Sequence, residues 1–144
     1  MFSKTYQYAL RASVVVARAS RDGKRLVLSE IAEHTGAPKA FTAKVLQNLV
    51  RAGIITSQRG PNGGFHLSPD QASKVSLRMI MEAIGESSFH HECAMGLESC
   101  SGLNPCPLHG QFALVKEEMG HILDSTDIHS LVDGLNTGTT HIKR

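Results

Sequence analysis

Residues 28–67 read LSEIAEHTGAPKAFTAKVLQNLVRAGIITSQRGPNGGFHL, and the fold follows from how this stretch is punctuated. Ser29 can cap a helix through Ile31, Ala32 and His34, and Glu30 and Glu33 favour the positive end of that helix. Gly36 can take the left-handed conformation that stops a helix, and Pro38 suits the first turn of the next one. From Pro38 to about Ala52, Phe41, Val45 and Leu49, with Leu46 and Val50 beside them, form an inward stripe. The outward face carries Lys39, Thr42, Ala43, Lys44, Gln47, Asn48 and Arg51, donors to phosphates and base edges with no carboxylate among them. Two short helices joined by a tight glycine turn, the second basic on its outer face, predict a helix-turn-helix. Ile54 to Arg59 then alternates as a strand, Gly60, Pro61, Asn62, Gly63 and Gly64 make a turn, and Phe65 to Leu67 returns as the second strand of a wing. Arg59 at the start of that tip can enter a narrow minor groove, where side-chain-free glycines let backbone approach phosphate.

Outward from this stretch, the amino-terminal segment predicts a helix from about Ser3 to about Ser20, with Tyr6, Leu10, Val14 and Ala17 recurring at helical spacing. Its apolar run from Ser13 to Ala17 is bracketed by Arg11 and Arg18, too short for a membrane span, and no small-residue cleavage site follows a basic leader. A cytoplasmic protein is expected, with reduced thiols and no membrane partner. The net charge of +2 hides an asymmetry. Residues 1–68 carry ten Lys and Arg against three Asp and Glu, whereas residues 69–144 carry five against ten. A basic half joined to an acidic one suggests that the first half meets a polyanion.

All three cysteines fall in one loop, in the spacing Cys93-x6-Cys100-x5-Cys106-x2-His109. The residues between them include Gly96, Ser99, Ser101, Gly102, Asn104 and Pro105, which form turns easily and offer little side chain for a core. Thiolates and an imidazole gathered in such a loop are metal ligands by type: soft sulfur suits iron-sulfur centres and closed tetrahedral zinc alike. His90 and His91 are further nitrogen donors, ranked below His109 because paired histidines in a polar loop are usually solvated. Two other uses of the thiols stay open, as small buried hydrophobes or as a disulfide that would leave one cysteine over.

The order of YALRA near the start, then the helix-turn-helix, then SQRGPNGGFHL, then a cysteine loop ending CPLH resembles the Rrf-two (Rrf2) family of bacterial winged-helix transcription regulators, from about Lys4 to about Leu135. The resemblance implies a mainly α fold with a small β-hairpin: a winged helix-turn-helix DNA-binding domain, a cysteine-rich loop and a long carboxy-terminal dimerisation helix. The outward residues Lys39, Thr42, Lys44, Gln47 and Asn48 of the second helix are the expected DNA-binding set, and the resemblance implies Arg59 and the tip Gly60 to Gly64 as the minor-groove wing. It further implies Cys93, Cys100 and Cys106 as iron-sulfur ligands. Regulators of the IscR type add a histidine three residues after the third cysteine, where His109 stands. The NsrR type instead brings an aspartate from the first helix, where this chain has Gln7. A 2Fe-2S cluster is expected ahead of a 4Fe-4S one, with zinc as the alternative. The IscR glutamate that helps discriminate between DNA sites is replaced by Ala43 here.

Beyond the wing, Ser76 can cap a short helix through Leu77, Ile80, Met81 and Ile84. After the loop, Pro107 opens a helix in which Leu108, Phe112, Val115, Met119 and Ile122 make a short heptad seam. Pattern alone allows that face to fold onto its own domain; the family resemblance makes it a dimerisation face. Thr126 or Asp127 can cap a final helix through Ile128, Leu131, Val132 and Leu135. The expected division is a DNA-binding domain over 1–85, the ligand loop over 86–106, the dimerisation and final helices over 107–135, and a disordered tail over 136–144. The expected function is a repressor that binds a two-fold symmetric duplex operator as a homodimer, two recognition helices about 34 Å apart reading one turn of DNA. Its cluster would report redox, iron-sulfur or nitrosative status. A zinc site or thiol switch in place of the cluster is the alternative. A small metal-dependent enzyme using His109 with Glu92 or Glu98 is remote, because no HExxH, phosphate loop or nucleophile elbow is present.

Overall fold

The computed structural model describes residues 2–86, 92–98 and 101–142. Helix α1 (Lys4–Arg21) is the centre of the assembly, and its small residues explain why. Ala9, Ala12, Ser13, Val14, Val16 and Ala17 are all buried, so neighbouring backbones approach it on several sides. Ser3 caps it, its hydroxyl accepting the Tyr6 N–H at 3.0 Å. The buried Ser13 hydroxyl donates to the Ala9 carbonyl at 2.9 Å, so this polar group is paired inside the core. Against α1 pack α2 (Leu28–Thr35), α3 (Lys39–Arg51), α5 (Leu77–Ala83) and α7 (Ile128–Asn136), and these share one core built on Ile31, Leu46, Leu49, Ile54, Ile80 and Ile128.

Helix α2 begins one residue before the expected Ser29 cap. The Leu26 N–H and C=O both exchange hydrogen bonds with Phe65, at 3.2 and 2.8 Å, so the extended segment ends at Val27. The Val27 N–H is then taken by the Glu30 carboxylate at 2.8 Å, which puts Ser29 inside the first turn. Gly36 closes α2 with φ +66°, as its position in the sequence requires. The wing is an antiparallel pair, β1 (Thr56–Gln58) and β2 (Gly64–His66), in the register Thr56 to His66, Ser57 to Phe65 and Gln58 to Gly64. The Ser20 hydroxyl accepts the Leu67 N–H at 2.9 Å and so fastens the end of the wing to α1.

One turn of helix, α4 (Pro69–Ala72), follows the wing under a Ser68 cap; no expectation from the sequence placed it. Ser76 caps α5 and Asp127 caps α7, each through the N–H three residues on. Helix α6 (His109–Ser125) starts two residues after Pro107, because Pro107 and Leu108 form a turn ahead of it. Residues 137–140 turn back onto the end of α7, Thr139 and Thr140 both donating to the Gly134 carbonyl at 3.1 Å. Among the described residues no helix is long and apolar enough to cross a membrane.

Only Leu123 of α6 is buried. Of the heptad seam, Phe112, Val115 and Ile122 are exposed and Leu108 and Met119 half-buried, so the described residues leave much of it uncovered.

Candidate DNA interface and cysteine loop

Helix α3 shows two faces. Val45, Leu46 and Leu49 point into the core against α1 and α2, while Lys39, Lys44, Gln47 and Arg51 are exposed and Asn48 is half-buried on the opposite side. Thr42 goes inward: it is 3% exposed and its hydroxyl donates to the Pro38 carbonyl at 3.1 Å. Its place one turn ahead of Val45 and Leu46 puts it on the buried stripe, so Thr42 leaves the set of base-reading candidates. The amino end of α3 follows Pro38, which offers no side-chain cap to the first amides.

The wing tip is a tight turn closed by the Gly63 N–H on the Gly60 carbonyl at 2.9 Å. Arg59, Gly60, Pro61 and Asn62 are exposed around it. Glycine at 63 is dictated by space, since a Cβ there would stand 2.3 Å from the Gln58 carbonyl oxygen. Gly64 combines φ +139° with a Cβ position only 2.8 Å from the Leu26 oxygen. The RGPNGG tip is therefore the backbone solution to a hairpin that must also pair with Leu26. Arg25, absent from the expected set, donates from Nη1 to the Asn62 carbonyl at 3.2 Å and holds the tip against the α1–α2 connection. A cation directly before the extended Leu26 was its signal in the sequence.

Among the described residues the cysteine loop brings the expected ligands Cys93 and Cys106 together. Cys93 is 8% exposed and Cys106 half-buried, their sulfurs 3.8 Å apart. Two thiolates bound at about 2.3 Å to one tetrahedral centre stand about 3.8 Å apart, so this pair fits the edge of an FeS4 or ZnS4 tetrahedron. The Cys93 thiol is held below its ordinary pKa, first by the backbone amides of Met95 and Leu97, then by Cys106 and the Lys116 ammonium, against the opposing effect of burial. The turn that aims those amides is closed by Gly96, whose N–H meets the Cys93 carbonyl at 2.9 Å with φ +73°.

Lys116, two helical turns after His109 on α6, also donates to the Glu92 carbonyl and ties the loop to that helix. Cys93 further lines a largely apolar hollow of about 290 Å³ with Ala94, Phe112, Val115 and Met119. His109 opens α6, its N–H on the Cys106 carbonyl at 2.9 Å, and its Nε2 lies toward Gly102 of the loop. It does not join Cys93 and Cys106 in a three-ligand cluster among the described residues. Cys100, His90 and His91 lie outside the described residues.

A family model described as Rrf2, iron-dependent transcriptional regulator, matches residues 2–134. The HTH-type transcriptional regulator IscR of Yersinia pseudotuberculosis is 31% identical over 127 residues, covering 88% of this chain and 76% of that one. Among solved structures, CymR, the global cysteine regulator of B. subtilis, superposes with a TM-score of 0.71 at 18% identity, covering 92% of this chain and 96% of CymR. T. potens IscR superposes with a TM-score of 0.70 at 18% identity, covering 99% of this chain and 93% of that one.

Proposed function

The chain belongs to the Rrf2 family of DNA-binding transcriptional regulators, and from that premise we propose that it is a homodimeric repressor whose DNA binding is controlled by an iron-sulfur cluster held in the cysteine loop. Family membership makes it a regulator rather than an enzyme. The observation that carries the cluster reading is the 3.8 Å approach of the Cys93 and Cys106 sulfurs, with the Cys93 thiol held below its ordinary pKa by the Met95 and Leu97 amides. Cys93, Cys100, Cys106 and His109 are the proposed ligands. A 2Fe-2S cluster would supply a centre whose charge and ligation change with oxidation, iron supply or nitric oxide.

In the DNA-binding role, Lys39, Lys44, Gln47 and Asn48 of α3 face the major groove, and the tip from Arg59 to Gly64 faces the minor groove. The amides at the start of α3 add donors for phosphate. Two copies paired through the seam Phe112, Val115, Met119 and Ile122 of α6 present two such heads to a two-fold operator. The Lys116 tie between loop and α6 gives the chain a route by which a change at the cysteines biases the dimer.

Anaerobic purification followed by visible absorption and iron, sulfide and zinc analysis tests the cofactor. Iron and sulfide in one sample, lost in Cys93→Ser and Cys106→Ser, support the reading. Stoichiometric zinc in a colourless protein overturns the cluster and leaves a zinc site or thiol switch, which the same sulfur spacing also suits. Affinity for duplex DNA that does not weaken with salt would overturn the DNA interface.

A further inference from the structure

Helix α6 is held to its own chain over a short length. From His109 to Met119 it exposes a mostly unburied surface, and it docks on α5 near its carboxy end, where Leu123 is 1% exposed. Beside Leu123 lies an Arg78 fork. Nε of Arg78 donates to Asp124 Oδ1, Nη2 donates to Asp124 Oδ2 at 2.9 Å, and Nη2 also donates to the Gly120 carbonyl at 3.2 Å. The Arg78 side chain is one-fifth exposed and its bond to the Gly120 carbonyl is partly buried, while Asp124 is more than half exposed, so the fork's value lies in its fixed geometry rather than in desolvation. The Leu77 N–H on the Thr126 carbonyl, at 3.1 Å, closes the same corner. Helix α5, which carries Arg78, packs in turn on the recognition helix α3 and on α1.

From this arrangement we infer that Arg78 is a positioning residue for DNA reading: its fork on Asp124 and Gly120 sets the angle at which α6 leaves the DNA-binding body, and so the separation of the two recognition helices. The inference rests on the dimer formed through α6. Between Gly120 and His109 the helix runs about 16 Å at about 1.5 Å per residue, so a 15° change at the clamp displaces one end by about 4 Å. That exceeds the rise of one base pair, about 3.4 Å. A planar guanidinium held at three points resists such rotation; an ammonium, a point donor on a flexible stem, does not.

The test uses the full chain and a duplex selected from a randomised pool by the wild-type protein. Affinity is measured for that duplex, for its isolated half-site, and for a series with the half-sites moved apart or together by one base pair. Arg78→Lys and Asp124→Asn are compared with wild type, the second serving should the first fold poorly. Expected is half-site affinity and dimerisation within twofold of wild type, a loss of about tenfold on the full duplex, and a flattened dependence on spacing. Full-site affinity and spacing optimum unchanged in both variants overturn the inference. So does an equal loss on half-site and full site, because that is local damage to α3. If the wild type selects no duplex, or binds only as a monomer, the function proposed above fails, and the role of Arg78 with it.

Discussion

Replacing Gly63 by Ala tests the wing as a device for touching DNA. A Cβ at this position would sit 2.3 Å from the Gln58 carbonyl oxygen and 2.9 Å from both the Arg59 carbonyl carbon and the Gly60 oxygen. The first contact is more than about 1 Å inside ordinary van der Waals separation, and all three partners are backbone, so no side chain can swing away. The turn must open, at the expense of the Gly63 to Gly60 hydrogen bond. Overpacking of this kind costs about 1 to 3 kcal/mol. The tip lies outside the core, β1 being exposed along its length, so the cost falls on wing geometry rather than on global folding. If Arg59 and the tip contact DNA, the same energy appears as a loss of roughly 5- to 150-fold in affinity. Gly23→Ala is the control: it has φ +69° but open space around it, so it carries about 1 kcal/mol of backbone strain and leaves DNA binding alone. Fluorescence anisotropy on a labelled duplex at fixed salt, paired with thermal unfolding, reads both. A Gly63→Ala protein that stays folded and binds within twofold of wild type would refute the reasoning.

Arg59→Ala should lose about 1 to 3 kcal/mol of operator affinity and lower the salt slope by about one; an unchanged slope would make Arg59 a bystander. Leu123→Ala should cost about 2 to 5 kcal/mol in urea unfolding, since this side chain carries the apolar docking of α6; a cost under about 1 kcal/mol would mean that the Arg78 fork alone holds the helix. Burial pushes the Tyr6 phenol from 10.0 up to about 12, and its hydroxyl donates to the Leu77 carbonyl at 3.4 Å. Its folded pKa lies above its unfolded one, so its contribution is complete below pH 10 and is lost as pH rises toward 12. Tyr6→Phe should flatten the alkaline limb of a stability profile between those values, and an unaltered limb would place the titration elsewhere.

The features legible in the sequence are those decided within a few residues of chain. Ser3, Ser76 and Asp127 cap their helices because a side-chain oxygen needs only the amide three residues on. Gly36 ends α2 and the Gly60 to Gly64 tip turns the wing for equally local reasons, and the inward stripe of α3 follows from its period alone. The register of residues on that stripe was harder, because Thr42 is polar by type and inward by position. What composition calls a donor, the packing of α3 makes a core residue.

Tertiary structure decided whatever depends on closing the chain over longer distances. Leu26 pairing with Phe65 moved the start of α2, Arg25 reached the wing tip across 37 residues, and Arg78 met Asp124 across 46. The Cys93 and Cys106 sulfurs meet across 13 residues, through a loop whose composition announced turns but not which cysteines would approach. Helical period likewise named the seam of α6 without saying whether it would be covered, and its exposure depends on where α5 and Leu123 hold the helix. Spacing rules report which side chains share a face. Which faces meet is settled by the whole core, since burying Ile31, Leu46, Leu49, Ile80 and Leu123 together fixes where the polar pairs at its edge can form.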